Sequence, residues 1–173
     1  MSDRVYNVLF LCTGNSARSI LAESLLNRDG RGRFRAFSAG SFPKGEVHPR
    51  TLELLTSLGF PTADMRSKSW DEFTGPDAPV FDFIFTVCDN AAGETCPVWP
   101  GHPMTAHWGI EDPAAHEGEG QGQAFVRALH YLRNRIAMFT ALPLASIDEM
   151  ALESKLRGIG RIEGASSPRS DAA

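Results

Sequence analysis

The sequence predicts an α/β fold: a three-layer arrangement with a four-stranded, mostly parallel sheet flanked by helices. Three observations carry this. Apolar runs short enough for strands alternate along the chain with helix-period segments. Two of the runs, Val5–Leu11 and Phe81–Val87, are almost continuously apolar, as strands covered on both faces are. Polar, glycine-bearing turns follow the carboxyl ends of these same runs, where open parallel sheets bind their ligands.

Taken in order, Val5–Leu11 reads as the first strand, and Ser16–Asn27 as a helix with Ile20, Leu21, Ser24 and Leu25 on one face. Phe34–Ser38 alternates as a second strand and ends at Ala39-Gly40. His48-Pro49 opens a helix bearing Leu52, Leu55 and Leu58, and Gly59 stops it. Phe81–Val87 is the third strand and Met104–Ile110 a short fourth. Gly118–Gly122 reads as a flexible loop before a long amphipathic helix carrying Phe125, Leu129, Leu132, Ile136 and Phe139. A catalytic domain is expected over 1–142. An extension over 143–173 would hold one more helix, around Ile147, Met150, Leu152 and Leu156, then a disordered tail after Arg161.

Composition narrows the function. The chain has 173 residues, 42% of them hydrophobic and 22% charged, with a net charge of −4. That balance suits one soluble domain and disfavours a general nucleic-acid surface, while a local cationic pocket remains compatible with it. No apolar stretch is long enough to span a bilayer, and the N-terminus resembles no secretion leader, so a cytoplasmic, monomeric protein is expected. Three cysteines, Cys12, Cys88 and Cys96, make an odd number, which points away from a disulfide framework and toward nucleophilic, redox or metal chemistry.

The most informative segment is Cys12-Thr13-Gly14-Asn15-Ser16-Ala17-Arg18-Ser19, directly after the first strand. A turn between Cys12 and Arg18 can wrap its N–H groups around a tetrahedral anion, with the following helix adding its positive end and Arg18 a bidentate guanidinium. The same field is expected to favour thiolate at Cys12, an activated nucleophile beneath a bound oxyanion. Such a site takes phosphate- or arsenate-shaped ligands.

A second constellation begins at the end of the third strand. Seven residues separate Cys88 from Cys96, Asp89 and Gly93 among them. They read as a dithiol able to close a disulfide, as two unrelated cysteines, or as a zinc site with His102 and His107, although the tight spacing typical of zinc is absent. After the fourth strand, Asp112-Pro113 is either an ordinary turn or, if it meets the cradle, a proton donor. Asn15 and Ser19 fit loop-shaping and nucleophile-assisting roles, or simple turn and cap roles.

Together, CTGNSARS, Phe37-Ser38-Ala39-Gly40, Val87-Cys88-Asp89 with Cys96-Pro97, and His107-Trp108-Gly109 leading to Asp112-Pro113 resemble the low-molecular-weight protein tyrosine phosphatase family. Within it they resemble the thiol-dependent arsenate reductases, over about Val5 to Phe139. The resemblance implies that Cys12 attacks arsenate held by Arg18 and the amides of Thr13–Ser19, and that Asp112 protonates the leaving oxygen. Cys88 would then form a disulfide with Cys12, and Cys96 would resolve it to Cys88–Cys96. No bound cofactor or metal is implied. An external thiol reductant would close the cycle: thioredoxin, glutaredoxin with glutathione, or mycothiol. Phosphate and sulfate would compete as anions.

The chain departs from the phosphatase pattern at Ala17, where those relatives carry a second cysteine, and at Ala114-Ala115, where tyrosines often follow the Asp-Pro. Some reductases of this group hold potassium through oxygens matching Asn15, Glu23 and Ser38 and an aspartate. Lys68 stands in that aspartate's place here, and its ammonium is expected to replace the ion. A plain phosphatase using Cys12, Arg18 and Asp112 is the catalytic alternative, and a non-enzymatic oxyanion- or arsenite-binding module the other.

Overall fold

The structure, a computed structural model, describes residues 4–89 and 99–166. Its sheet contains β1 (Tyr6–Leu11), β2 (Phe34–Ala39), β3 (Phe83–Thr86) and β4 (Met104–His107), in the order β2-β1-β3-β4. All pairings are parallel, as the apolar runs predict. The register aligns Leu11 with both Ala39 and Thr86, and Thr86 with His107. Cys12, Gly40, Cys88 and Gly109 therefore emerge together at the carboxyl edge of the sheet.

Among the described residues, four helices pack on one sheet face: α1 (Arg18–Asp29), α2 (Pro49–Ser57), α3 (Gly120–Thr140) and α4 (Glu149–Ile159). Val8, Phe10, Phe83 and Phe85 point into that core, where Trp108 stacks on Phe85 at 3.8 Å between ring centroids. The alternate residues Leu9, Leu11 and Ile84 face a smaller cluster with Phe81, Trp99 and a 3-10 turn, Trp70–Phe73. Burial on both faces explains why these strands lack polar alternation.

β3 and β4 are shorter than the expected Phe81–Val87 and Met104–Ile110, and three further boundaries differ from expectation. α1 begins at Arg18 rather than Ser16, because Asn15 adopts a left-handed φ of 44° and Ala17 is not helical. Gly120 and Gly122 lie in the first turn of α3 rather than in a loop; a first turn leaves its N–H groups without intrahelical partners in any case. The helix expected in the C-terminal extension is present as α4, capped by Asp148 accepting from the Ala151 N–H at 2.9 Å. Residues 162–166, expected to begin a disordered tail, are ordered: Ala165 bridges Ile110, and the Ser166 N–H donates to the Gly109 carbonyl at 3.0 Å.

Candidate active site

The loop from Cys12 to Arg18 leaves β1 and is held from outside by its carbonyls. The Phe42 N–H donates to Thr13 O, the Lys44 N–H and Ser67 Oγ donate to Gly14 O, and the His48 N–H and Thr51 Oγ1 donate to Ser16 O, each at 3.0 Å. In a trans peptide the C=O and the following N–H point oppositely, so outward carbonyls turn the Gly14, Asn15 and Ala17 N–H groups inward. Asn15 fixes the bend: its Nδ2 donates to Ser19 Oγ at 2.8 Å, and its Oδ1 accepts from the Lys68 N–H at 2.9 Å. Asn15 and Ser19 are both fully buried. Gly40 closes the rim so tightly that a Cβ there would collide with the Thr13 carbonyl.

Residues 12–18 line a pocket of about 220 Å³ together with Phe42, Lys44, Cys88 and Asp112. Arg18 enters it from the first turn of α1. Its NH1 donates to Ile110 O at 2.9 Å, its NH2 lies 3.7 Å from Asp112 Oδ2, and its Nε is buried without a partner among the described residues. A guanidinium braced at one nitrogen with buried donor capacity to spare suits an oxyanion. Asp112 caps the 3-10 turn Pro113–Ala115 by accepting from the Ala114 N–H at 2.9 Å, and its side chain remains 41% exposed. Asp112 is thus at once a turn residue and a neighbour of the Arg18 guanidinium.

Cys12 and Cys88 are buried thiols at the pocket floor. Cys88 Sγ accepts from the Thr13 N–H at 3.3 Å and lies 3.7 Å from Thr13 Oγ1. The expectation of a ready thiolate at Cys12 needs correction. A hydrogen bond with Cys88 and burial hold its pKa well above the ordinary cysteine value, outweighing the pull of Arg18. Removing one proton from the pair is made harder by the neighbouring sulfur and by Asp112.

Beside the loop, Ser38 Oγ donates to Glu23 Oε2 at 3.0 Å, and Lys68 Nζ donates to Ser38 Oγ at 3.3 Å and to Arg66 O at 3.1 Å. Lys68 Nζ is 3.9 Å from Glu23 Oε2. Burial raises the Glu23 pKa and lowers that of Lys68, each opposed by the other's charge.

Cys96 lies outside the described residues. Of the zinc alternative, His107 has both ring nitrogens engaged, at 2.7 Å to Thr86 Oγ1 and 2.8 Å to Asp89 Oδ1. Sequence reasoning missed Phe42 and Lys44. They sit in the turn after β2, and the rule that ligands bind at strand carboxyl ends would have singled that turn out.

Comparison with known proteins agrees with this geometry. The family model described as low molecular weight phosphotyrosine protein phosphatase matches residues 7–150. An arsenate reductase of Shouchella clausii is 33% identical over 134 residues, covering 76% of this chain and 93% of that protein. The solved arsenate reductase of Archaeoglobus fulgidus aligns with a TM-score of 0.57 at 29% identity, over 75% of this chain and 98% of that one. A thioredoxin-dependent arsenate reductase of Corynebacterium glutamicum aligns with a TM-score of 0.60 at 25% identity, over 84% of this chain and 66% of that one.

Proposed function

Because the chain belongs to the low molecular weight phosphotyrosine protein phosphatase family, we propose that it applies that family's oxyanion cradle to the reduction of arsenate to arsenite. The observation that carries this reading is the second thiol: Cys88 lines the same pocket as Cys12, its Sγ held by the Thr13 N–H at 3.3 Å. Phosphomonoester hydrolysis needs one nucleophile, an arginine and an acid; it requires no thiol brought to the pocket from the end of β3. The arsenate reductase relatives support the same assignment.

In this mechanism the loop amides and Arg18 hold hydrogen arsenate, and Cys12 Sγ attacks arsenic. The thiol proton joins the departing hydroxyl, with Asp112 as relay, so one S–As bond forms and one water leaves. A high Cys12 pKa suits this, because the dianion can take the proton as the nucleophile forms. Cys88 then attacks Cys12 Sγ: the S–S bond forms, the S–As bond breaks, and its electron pair reduces As(V) to As(III). Cys96 attacks Cys88, freeing Cys12, and an external dithiol carrier of the thioredoxin type reduces the Cys88–Cys96 bond. Asn15 keeps the loop bent, and Ser19, accepting from Asn15, retains its own proton to donate toward the nucleophile.

The test is arsenate-dependent NADPH oxidation with thioredoxin and thioredoxin reductase. Sustained turnover is expected, abolished by Cys12→Ser, Cys88→Ser and Cys96→Ser. Turnover that survives Cys88→Ser would overturn the relay. Phosphatase activity lost on Cys12→Ser, without arsenate reduction by any thiol donor, would make the protein a plain phosphatase; glutaredoxin with glutathione and mycothiol complete that series.

The Lys68 ammonium supplies a positive charge to Ser38, and through it to Glu23, where the family resemblance implies a potassium ion. Exchanging sodium for potassium at constant ionic strength is therefore expected to leave kcat and KM for arsenate unchanged. A clear stimulation by potassium would reject the replacement.

A further inference from the structure

The residue after Cys88 is tied down by groups that stand outside the oxyanion pocket. One carboxylate oxygen of Asp89 meets two partners from different parts of the chain: His107 Nε2 at 2.8 Å, from the end of β4, and Ser166 Oγ at 3.0 Å, from beyond α4. The other ring nitrogen of His107 reaches Thr86 Oγ1 at 2.7 Å, so the imidazole spans the ends of β3 and β4 and the start of the segment after Cys88.

Ser166 is itself anchored. Its N–H donates to Gly109 O at 3.0 Å, and the preceding Ala165 bridges Ile110, whose carbonyl braces Arg18. Upstream, the fully buried Arg135 of α3 donates through NH1 to Glu163 O at 3.2 Å and through NH2 to Ile162 O at 3.4 Å. The convergence leaves no spare room. A Cβ at Gly109 would lie 2.5 Å from His107 Nε2, 2.6 Å from Ser166 Oγ and 2.8 Å from Asp89 Oδ1.

From this juxtaposition we infer that Asp89, His107 and Ser166 are positioning residues for Cys88, and that the chain beyond residue 150 serves the sulfur-transfer half of the reaction. The inference rests on the reading above, in which Cys88 attacks Cys12. In that step the incoming sulfur must approach along the bond being broken, and small misplacements of a reacting group cost large factors in rate. Fixing the carboxylate next to Cys88 from two sides fixes the backbone that aims the thiol. Anion capture by Cys12, Arg18 and the loop uses none of the three groups.

The experiment separates the two halves in a Cys96→Ser background, so that only a Cys12–Cys88 bond forms. Closure is driven by diamide, which takes the two electrons and two protons of the thiols, and is followed by peptide mass spectrometry. Cradle integrity is read as phosphate protection of Cys12 from iodoacetamide. Ser166→Ala is expected to slow closure roughly tenfold while phosphate protection stays within about twofold, and Gly109→Ala to slow it further. Ser166→Thr, which keeps the hydroxyl, restores the rate. Unchanged closure in Ser166→Ala, or closure and protection falling together, would overturn the inference. Arsenite release in a single turnover adds the last distinction. If closure slows as expected but no variant, nor the parent, ever releases arsenite, the positioning role stands and the reductase reading fails.

Discussion

At the scale of single residues, the Cys12–Cys88 pair sets the chemistry. The Cys88 hydrogen bond and burial hold the Cys12 thiol up, while Arg18 draws it down. Cys88→Ala removes both the hydrogen bond and the like-charge neighbour, so the Cys12 pKa falls. The pH profile of Cys12 alkylation by iodoacetamide, read on its own peptide, is expected to move to lower pH in that variant; a move to higher pH would contradict the pairing. Glu23 and Lys68 give a second case. Glu23 is an acid whose folded pKa is raised, so its ionisation weakens the fold as pH rises through the carboxylate range, and the Lys68 charge limits that loss. Lys68→Met leaves Glu23 buried without its cation. A loss of about 3 kcal/mol at neutral pH is expected, shrinking as pH falls and Glu23 takes up a proton. Urea titrations at pH 7 and pH 4.5 check the sign; a loss that grows on acidification would refute it.

At the scale of elements, the site is where four strand ends meet, and β2 contributes through what it lacks. Gly40 follows β2 with its N–H donating to Lys68 O at 2.9 Å and its carbonyl accepting from the Trp70 N–H at 3.0 Å. Both bonds hold it against the Thr13 carbonyl, where a side chain cannot fit. Gly40→Ala must therefore displace the cradle itself. A fall in kcat/KM of about a hundredfold is expected, with a melting temperature lowered by only a few degrees. A large loss of stability with kcat/KM preserved would place Gly40 in the scaffold alone. Much of this element-level picture was legible in the sequence. Unbroken apolar runs marked β1 and β3, and turn residues with cysteines marked their ends. What was not legible depends on bonds between distant segments. Asn15 donates to a serine four residues on, but accepts from Lys68 across 53 residues. The bend that delays α1 to Arg18 thus has no local signature. Lys44 and Phe42 look like ordinary turn residues until the turn is seen to border the pocket. Ser166 reads as part of a polar tail because its partners, Gly109 and Asp89, lie 57 and 77 residues away in sequence.

At the scale of the whole molecule, the C-terminal helix is part of the same core as the catalytic residues. Leu152, Leu156 and Ile159 are buried with Phe85, Trp108 and Phe139, and the indole N–H of Trp108 donates to the Leu156 carbonyl at 3.0 Å. Trp108 is followed at once by Gly109 and Ile110, which receive Ser166 and brace Arg18. Packing at α4 is thereby continuous with the geometry of the pocket, and no hydrophobic boundary separates 1–142 from the described part of the extension. Leu156→Ala opens a cavity against Trp108 and is expected to cost about 2–5 kcal/mol. Urea unfolding followed by tryptophan fluorescence and by far-ultraviolet circular dichroism should then show one coincident transition, shifted to lower urea with its slope unchanged. If α4 were an appendage, the variant would split the two signals: helix would melt early while the tryptophan transition stayed where it was. Coincidence of the shifted curves would instead mean that the segment carrying Ser166 folds and unfolds with the cradle, as a residue that positions Cys88 must.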